Sequence, residues 1–139
     1  MLTDADGVPL VVQTTPANVP DQDQLESLLD ALPAVKKPRG RPRRKPDSII
    51  GDRAYGTVRE IAIVESRGIK SDLAERSSRV HGSGLGVLRY VVERTLACFG
   101  HFRRLKLCYE RWGSHFQAFH DLAAAVLVIT RLRNSILRL

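Results

Sequence analysis

The sequence predicts an α/β fold in which a mixed sheet is flanked by helices, and three features carry that expectation. Short β-rich apolar runs alternate with segments whose apolar residues recur every three to four positions. Prolines and glycines punctuate the boundaries between them. Hydrophobic residues make up 43% of 139 positions, enough for one domain with a real core and too few for two comfortable ones. The expected order is hairpin, helix, strand, helix, strand, helix, helix, in a single domain spanning 1–139 with an exposed basic loop at 34–47.

Met1 to Thr15 reads as a hairpin. Asp4-Ala5-Asp6-Gly7 is turn chemistry, Val8 to Thr15 is β-rich, and Pro16 ends the second strand. Asp21 to Leu32 follows as a helix, with acids in its first turn, a stripe of Leu25, Leu28, Leu29 and Leu32, and Pro33 as its stop. Val35 to Pro46 has nothing to bury and reads as an exposed loop. Ser48 to Gly51 is a short apolar strand, and Thr57 to Arg67 is a helix through Val58, Ile61, Ala62 and Glu65 that Gly68 closes. Ile69 to Leu73 is the next strand, and residues 75–86 are a polar loop. A long helix starts near Leu85, with Leu88, Val91, Val92, Leu96 and Phe99 as its apolar face and Gly100 as a weak point. The last helix starts near Ser114 and turns Phe116, Phe119, Leu122, Ala123, Val126 and Ile129 inward.

Several function classes are excluded at this level. The longest apolar run, Leu122 to Ile129, is too short to span a membrane, and no signal peptide is expected at Met1-Leu2-Thr3-Asp4. Cys98 and Cys108 lack metal spacing and read as buried free thiols in a cytoplasmic protein. His81, His101, His115 and His120 are scattered, with no zinc pattern, and no serine triad or nucleotide loop is present. The formal charge of +7 and pI near 10.0 point instead to a polyanion. Residues 1–35 hold six acids and no Lys or Arg; the rest hold all 22 basic residues against nine acids, hence +13. That separation favours a surface made for phosphates.

Two carboxylates stand out. Asp52 follows an apolar strand, at the sheet edge where open α/β folds place their ligands, although Asp there can equally cap the following helix. Glu93 borders the apolar stripe of its helix, where it serves either chemistry or an ion pair with Arg89 one turn earlier.

The surrounding residues resemble a known family. Gly51-Asp52-Arg53-Ala54-Tyr55-Gly56, then Arg89-Tyr90-Val91-Val92-Glu93-Arg94-Thr95, Phe102-Arg103-Arg104-Leu105 and Tyr109-Glu110-Arg111, look like the second and third signature blocks of bacterial insertion-sequence DDE transposases. Thr3 to Leu10 with Thr15-Pro16-Ala17-Asn18 resembles that family's central hairpin, and Leu122-Ala123-Ala124-Ala125 its closing helix. The resemblance implies a ribonuclease H-like fold that cuts and joins DNA ends with two divalent ions, Mg²⁺ or Mn²⁺. It makes Asp52 the second and Glu93 the third metal-holding carboxylate. Hard cations take oxygen ligands, and a pair of them suits displacement at phosphorus. The family's first aspartate lies on a strand upstream of the hairpin. The chain is therefore expected to be an N-terminally truncated, incomplete catalytic domain, completed by an upstream transposase portion, with an exposed sheet edge that lowers stability or invites self-association. Asp4 and Asp6 are turn residues and no substitute. The family's Tyr and Lys or Arg positions around the glutamate are Gly86 and Gly100 here.

Double-stranded DNA is the expected partner. Lys36 to Pro46 holds seven positive charges and no acid. Its Arg39-Gly40-Arg41-Pro42 core resembles an AT-hook, in which an extended backbone lays arginines in a narrow minor groove. A solvated linker making phosphate contacts is the plainer alternative. Arg39, Arg41, Arg43, Arg44 and Lys45 are the candidates in this loop; Arg89, Arg94, Arg103, Arg104, Lys106 and Arg111 form a second group around Glu93. Tyr90, Tyr109 and Trp112 lie among them, either to stack on unpaired bases or simply to pack. Two other readings are a non-catalytic basic DNA-binding remnant that regulates transposition, and an RNA-binding protein.

Overall fold

A computed structural model describes residues 1–36, 39–73 and 85–137, with the backbone alone for 85–89. It is an α/β arrangement of two compact units, one formed by Met1–Ala17 with Tyr90–Leu139 and the other by Asn18–Arg89. Each contains a two-stranded sheet, antiparallel in the first and parallel in the second, where a single mixed sheet was expected. No helix of the described residues is long and apolar enough to cross a membrane.

In the first unit, β1 (Leu2–Thr3) pairs with β2 (Pro9–Val11) as an antiparallel hairpin. Asp4 Oδ1 organises the turn by accepting from the amides of Asp6 at 3.0 Å and Val8 at 2.7 Å. Gly7 follows at φ +81°, the left-handed region, where a Cβ would also lie 2.8 Å from Thr95 Oγ1. β2 ends at Val11 and not at Thr15. Beyond it the backbone bonds a side chain: Gln117 donates to the Val12 carbonyl at 2.8 Å and accepts from the Thr14 amide at 2.7 Å.

The unit is completed by α3 (Leu85–Phe99) from Tyr90 onward, α4 (Arg103–Lys106), which sequence periodicity did not anticipate, and α5 (Gly113–Ile136). Thr95 and Phe99 are buried on α3, and the Thr95 hydroxyl donates to the Gly7 carbonyl at 2.7 Å. Leu96, expected inside, is exposed, because the small hydroxylated Thr95 takes the contact beneath the hairpin. The inward face of α5 is corrected likewise. Ala123 is buried, whereas Leu122 is 61% and Ile129 65% exposed, and Val126 is exposed too. Phe116 meets His120 edge-on, and His120 stacks on Phe99 at 5.9 Å. Cys98 and Cys108 are both free, and Cys108 is exposed where a buried thiol was expected.

In the second unit, a 3-10 turn (Asp21–Gln24) leads into α1 (Leu25–Asp30), which buries Leu25, Leu28 and Leu29 as its stripe predicts. β3 (Ser48–Gly51) and β4 (Lys70–Leu73) run parallel in the register Ser48↔Lys70 to Gly51↔Leu73. Parallel strands need a crossover, and α2 (Val58–Ser66) supplies it. Gly68 closes α2 at φ +65°. The buried face of α2 is Glu60 and Val64, while Val58, expected on the apolar face, is 87% exposed. Burying Glu60 is tolerable because the Thr57 hydroxyl donates to its carboxylate across the first turn. Residues 75–84, expected as a loop, lie outside the described residues.

Candidate active site

Asp52 sits directly after β3 in the second unit and is exposed. Its Oδ1 accepts from the Arg53 amide at 2.6 Å and caps a 3-10 turn, Arg53–Tyr55, so the carboxylate does have the capping role weighed for it. A Cβ on Gly51 before it would lie 2.6 Å from Leu73 Cδ2, so the end of that leucine would have to shift. The neighbouring Tyr55 was quoted in the motif without a role. Its ring is half-buried and its hydroxyl donates to the Asp21 carbonyl at 3.4 Å. Burial first, then the charges of Asp21 and Asp52, push its phenol above the usual value of 10.0.

Glu93 lies in the first unit, exposed on α3. The side chain of Arg89, its expected ion-pair partner, is outside the described residues. Arg94 beside it donates to the Asp6 carbonyl at 3.1 Å and stands over the Tyr90 ring at 5.9 Å. Asp52 and Glu93 thus belong to different units, each held by its own local structure. Exposed carboxylate oxygens suit a hard divalent ion. Among the described residues, no group of three or more His, Cys, Asp or Glu is placed to hold a metal.

The basic residues divide by what they already bind. An isolated antiparallel bridge, Val35↔Arg43, pinches the base of the loop, with amide–carbonyl distances of 2.8 and 2.9 Å. Arg43 pairs with Asp47 and donates to the Lys45 carbonyl, while Lys45 Nζ reaches the carbonyls of Arg67 and Gly68 at 3.3 and 3.2 Å, at the end of α2. Arg39, Arg41 and Arg44 are exposed. Gly40 between the first two has φ +97° and lies in a bend. In the second group Arg103, Lys106 and Arg111 are exposed. Arg104 pairs with Glu110 at 3.4 Å and lies over the Phe119 ring at 4.8 Å. Arg103, Arg104 and Tyr109 line a depression of about 400 Å³. Tyr90, Tyr109 and Trp112 are all exposed, so packing does not account for them.

Comparison with known proteins identifies the surroundings of these residues. Residues 1–128 match the family described as Transposase DDE domain. A candidate transposase for insertion sequence element IS402 from Burkholderia cepacia is 41% identical over 135 residues, which is 97% of this chain. The chain spans 64% of the length of that relative. No solved structure matches.

Proposed function

Because the chain belongs to the transposase DDE domain family, matched over residues 1–128, we propose that it acts in DNA transposition and supplies Asp52 and Glu93 as metal-holding carboxylates. Its substrates on this reading are the ends of an insertion-sequence element. The observation that carries it is Asp52 at the C-terminal end of an apolar strand inside a family match covering nearly the whole chain. The scaffold on this reading is ribonuclease H-like.

Divalent Mg²⁺ or Mn²⁺, two ions in a complete site, would sit on these carboxylates. Bound there, they supply Lewis-acid stabilisation of charge at phosphorus and acidify the attacking water. The chain's own residues do the rest. Asp52 and Glu93 present oxygens, Asp52 being oriented by the Arg53 amide. Arg39, Arg41 and Arg44, with Arg89, Arg94, Arg103, Arg104, Lys106 and Arg111, neutralise DNA phosphates and fix its register. On this account the chain binds duplex DNA.

A second reading is favoured by the capping bond at Asp52, which occupies that carboxylate structurally. It makes the chain a non-catalytic DNA-binding regulator of transposition. One pair of measurements separates the two. Mn²⁺ binding by the purified chain should weaken in Asp52→Ala and Glu93→Ala, and transposition by the full reading frame should fall at least a hundredfold in each, the order expected for losing a metal ligand. DNA cleavage that persists in both variants refutes the catalytic assignment. Unchanged Mn²⁺ binding together with intact DNA binding selects the regulator.

A further inference from the structure

In the unit formed by residues 1–17 and 90–139, two guanidinium groups converge on one backbone carbonyl. Arg94 Nη2 donates to the Asp6 oxygen at 3.1 Å, and Arg131 Nη1 on α5 donates to the same oxygen. A carbonyl carries only a partial charge. Among the described residues, no ion pair joins either arginine to a carboxylate. Asp4, in the same turn, points its Oδ1 at the amides of Asp6 and Val8. Two cations held this close repel one another; Asp6 is the acid that lines a groove with them, and the surplus positive charge favours an anion beside them. Both contacts lie at the surface, against the hairpin turn. A Cβ on Gly7 would lie 3.3 Å from Arg131 Nη2, and the Thr95 hydroxyl fixes the Gly7 carbonyl from the other side.

The same arginines line a groove of about 650 Å³ together with Asp6, their one acidic neighbour in it; Asn134 and Ser135 add an amide and a hydroxyl, and Val8, Val128 and Leu132 an apolar wall. Each guanidinium has five N–H donors and spends one on the carbonyl, leaving the fork geometry that suits a phosphate. We propose that this groove binds a backbone phosphate of duplex DNA, with Arg131, Asn134 and Ser135 as contacts that the family's carboxylate chemistry does not include. The assignment rests on the reading of the chain as a DNA-processing protein. That membership favours a phosphodiester over a free anion, and DNA over RNA.

The deciding variant is Asn134→Asp with Ser135→Glu in the full chain. It puts negative charge into the groove while both arginines remain in the sequence. Anisotropy of a labelled duplex, measured over a range of salt, should show affinity falling about tenfold and the slope of log K against log salt shrinking by about one. Arg131→Gln should act in the same direction; if it loosens the hairpin by circular dichroism, the double variant carries the decision. Unchanged affinity and slope in the folded double variant overturn the groove, as does preferential capture of duplex RNA. Wild-type binding of inorganic phosphate that the double variant abolishes, with DNA affinity unaffected, identifies a free-anion site and also overturns it. A folded wild-type chain with no DNA affinity at all sinks the DNA-processing reading itself, whereas DNA binding indifferent to the groove sinks only the groove.

Discussion

Asp52 touches two neighbours whose behaviour reports on it. It orients itself on the Arg53 amide, and its charge helps hold the Tyr55 phenol in the neutral form, behind the larger effects of burial and Asp21. A phenol whose folded pKa is raised stabilises the fold fully below its unfolded value of 10.0. Above that value the unfolded chain ionises first, so stability falls as pH climbs toward the folded pKa. Ultraviolet titration of the tyrosines should therefore contain a late phase that Tyr55→Phe removes and Asp52→Asn moves to lower pH. A late phase unmoved by Asp52→Asn would mean the two groups do not interact. Gly7 offers a second test at this scale. Its φ of +81° and the 2.8 Å approach to Thr95 Oγ1 leave no room for a methyl group, so Gly7→Ala should cost about 1–3 kcal/mol in urea denaturation. The turn at Gly7 and the capping role of Asp52 were legible in the sequence because turn and strand-end chemistry is local. Tyr55 was not, since its partner Asp21 lies 34 residues away and nothing local announces the contact.

Elements were easier to read than their faces. The hairpin, α1, the β3–α2–β4 crossover, α3 and α5 all occur where apolar spacing and breakers place them. The buried sides of three helices do not follow that spacing, for a physical reason in each case. On α2 the Thr57–Glu60 pair lets a carboxylate go inside and leaves Val58 in solvent; the Thr-x-x-Glu spacing was the available signal. On α3 a small hydroxylated residue, Thr95, meets the hairpin in place of the larger Leu96. On α5 the run from Leu122 to Ile129 is apolar on every side, so periodicity has no contrast from which to choose a face. Ala123, buried to 2% exposure, takes the close contact and its bulkier neighbours point away. Ala123→Leu should then destabilise by about 1–3 kcal/mol through overpacking, while Leu122→Gln should change stability by no more than about 0.5 kcal/mol. Denaturant midpoints of the two variants check this, and the reverse order would restore the face that spacing suggests.

At the scale of the whole molecule, part of the charge separated along the chain is spent on the fold itself. Acids of the first 35 residues are spent partly inside the second unit, where Glu26 and Asp30 hold Arg67 at 3.1 and 2.9 Å and Asp23 holds Arg59 at 3.0 Å. Such exposed pairs contribute up to about 1 kcal/mol each. The basic loop divides in the same way: Arg43 and Lys45 are bound to Asp47 and to the end of α2, whereas Arg39, Arg41 and Arg44 face solvent around a bent Gly40. Composition showed seven positive charges and could not show which were already occupied, because the partners come from other elements. The division makes a prediction that total charge does not. Replacing Arg39, Arg41 and Arg44 by glutamine should lower DNA affinity and cut the salt slope by about 0.9 for each phosphate no longer neutralised, with thermal stability unchanged. Replacing Arg43 and Lys45 should do the opposite, lowering the melting temperature by a few degrees through the loosened loop base and α2 terminus while the slope changes little. Both variants remove charge from one short segment, so a purely electrostatic loop would give slopes falling in proportion to charge removed, and that result would reject the division of labour.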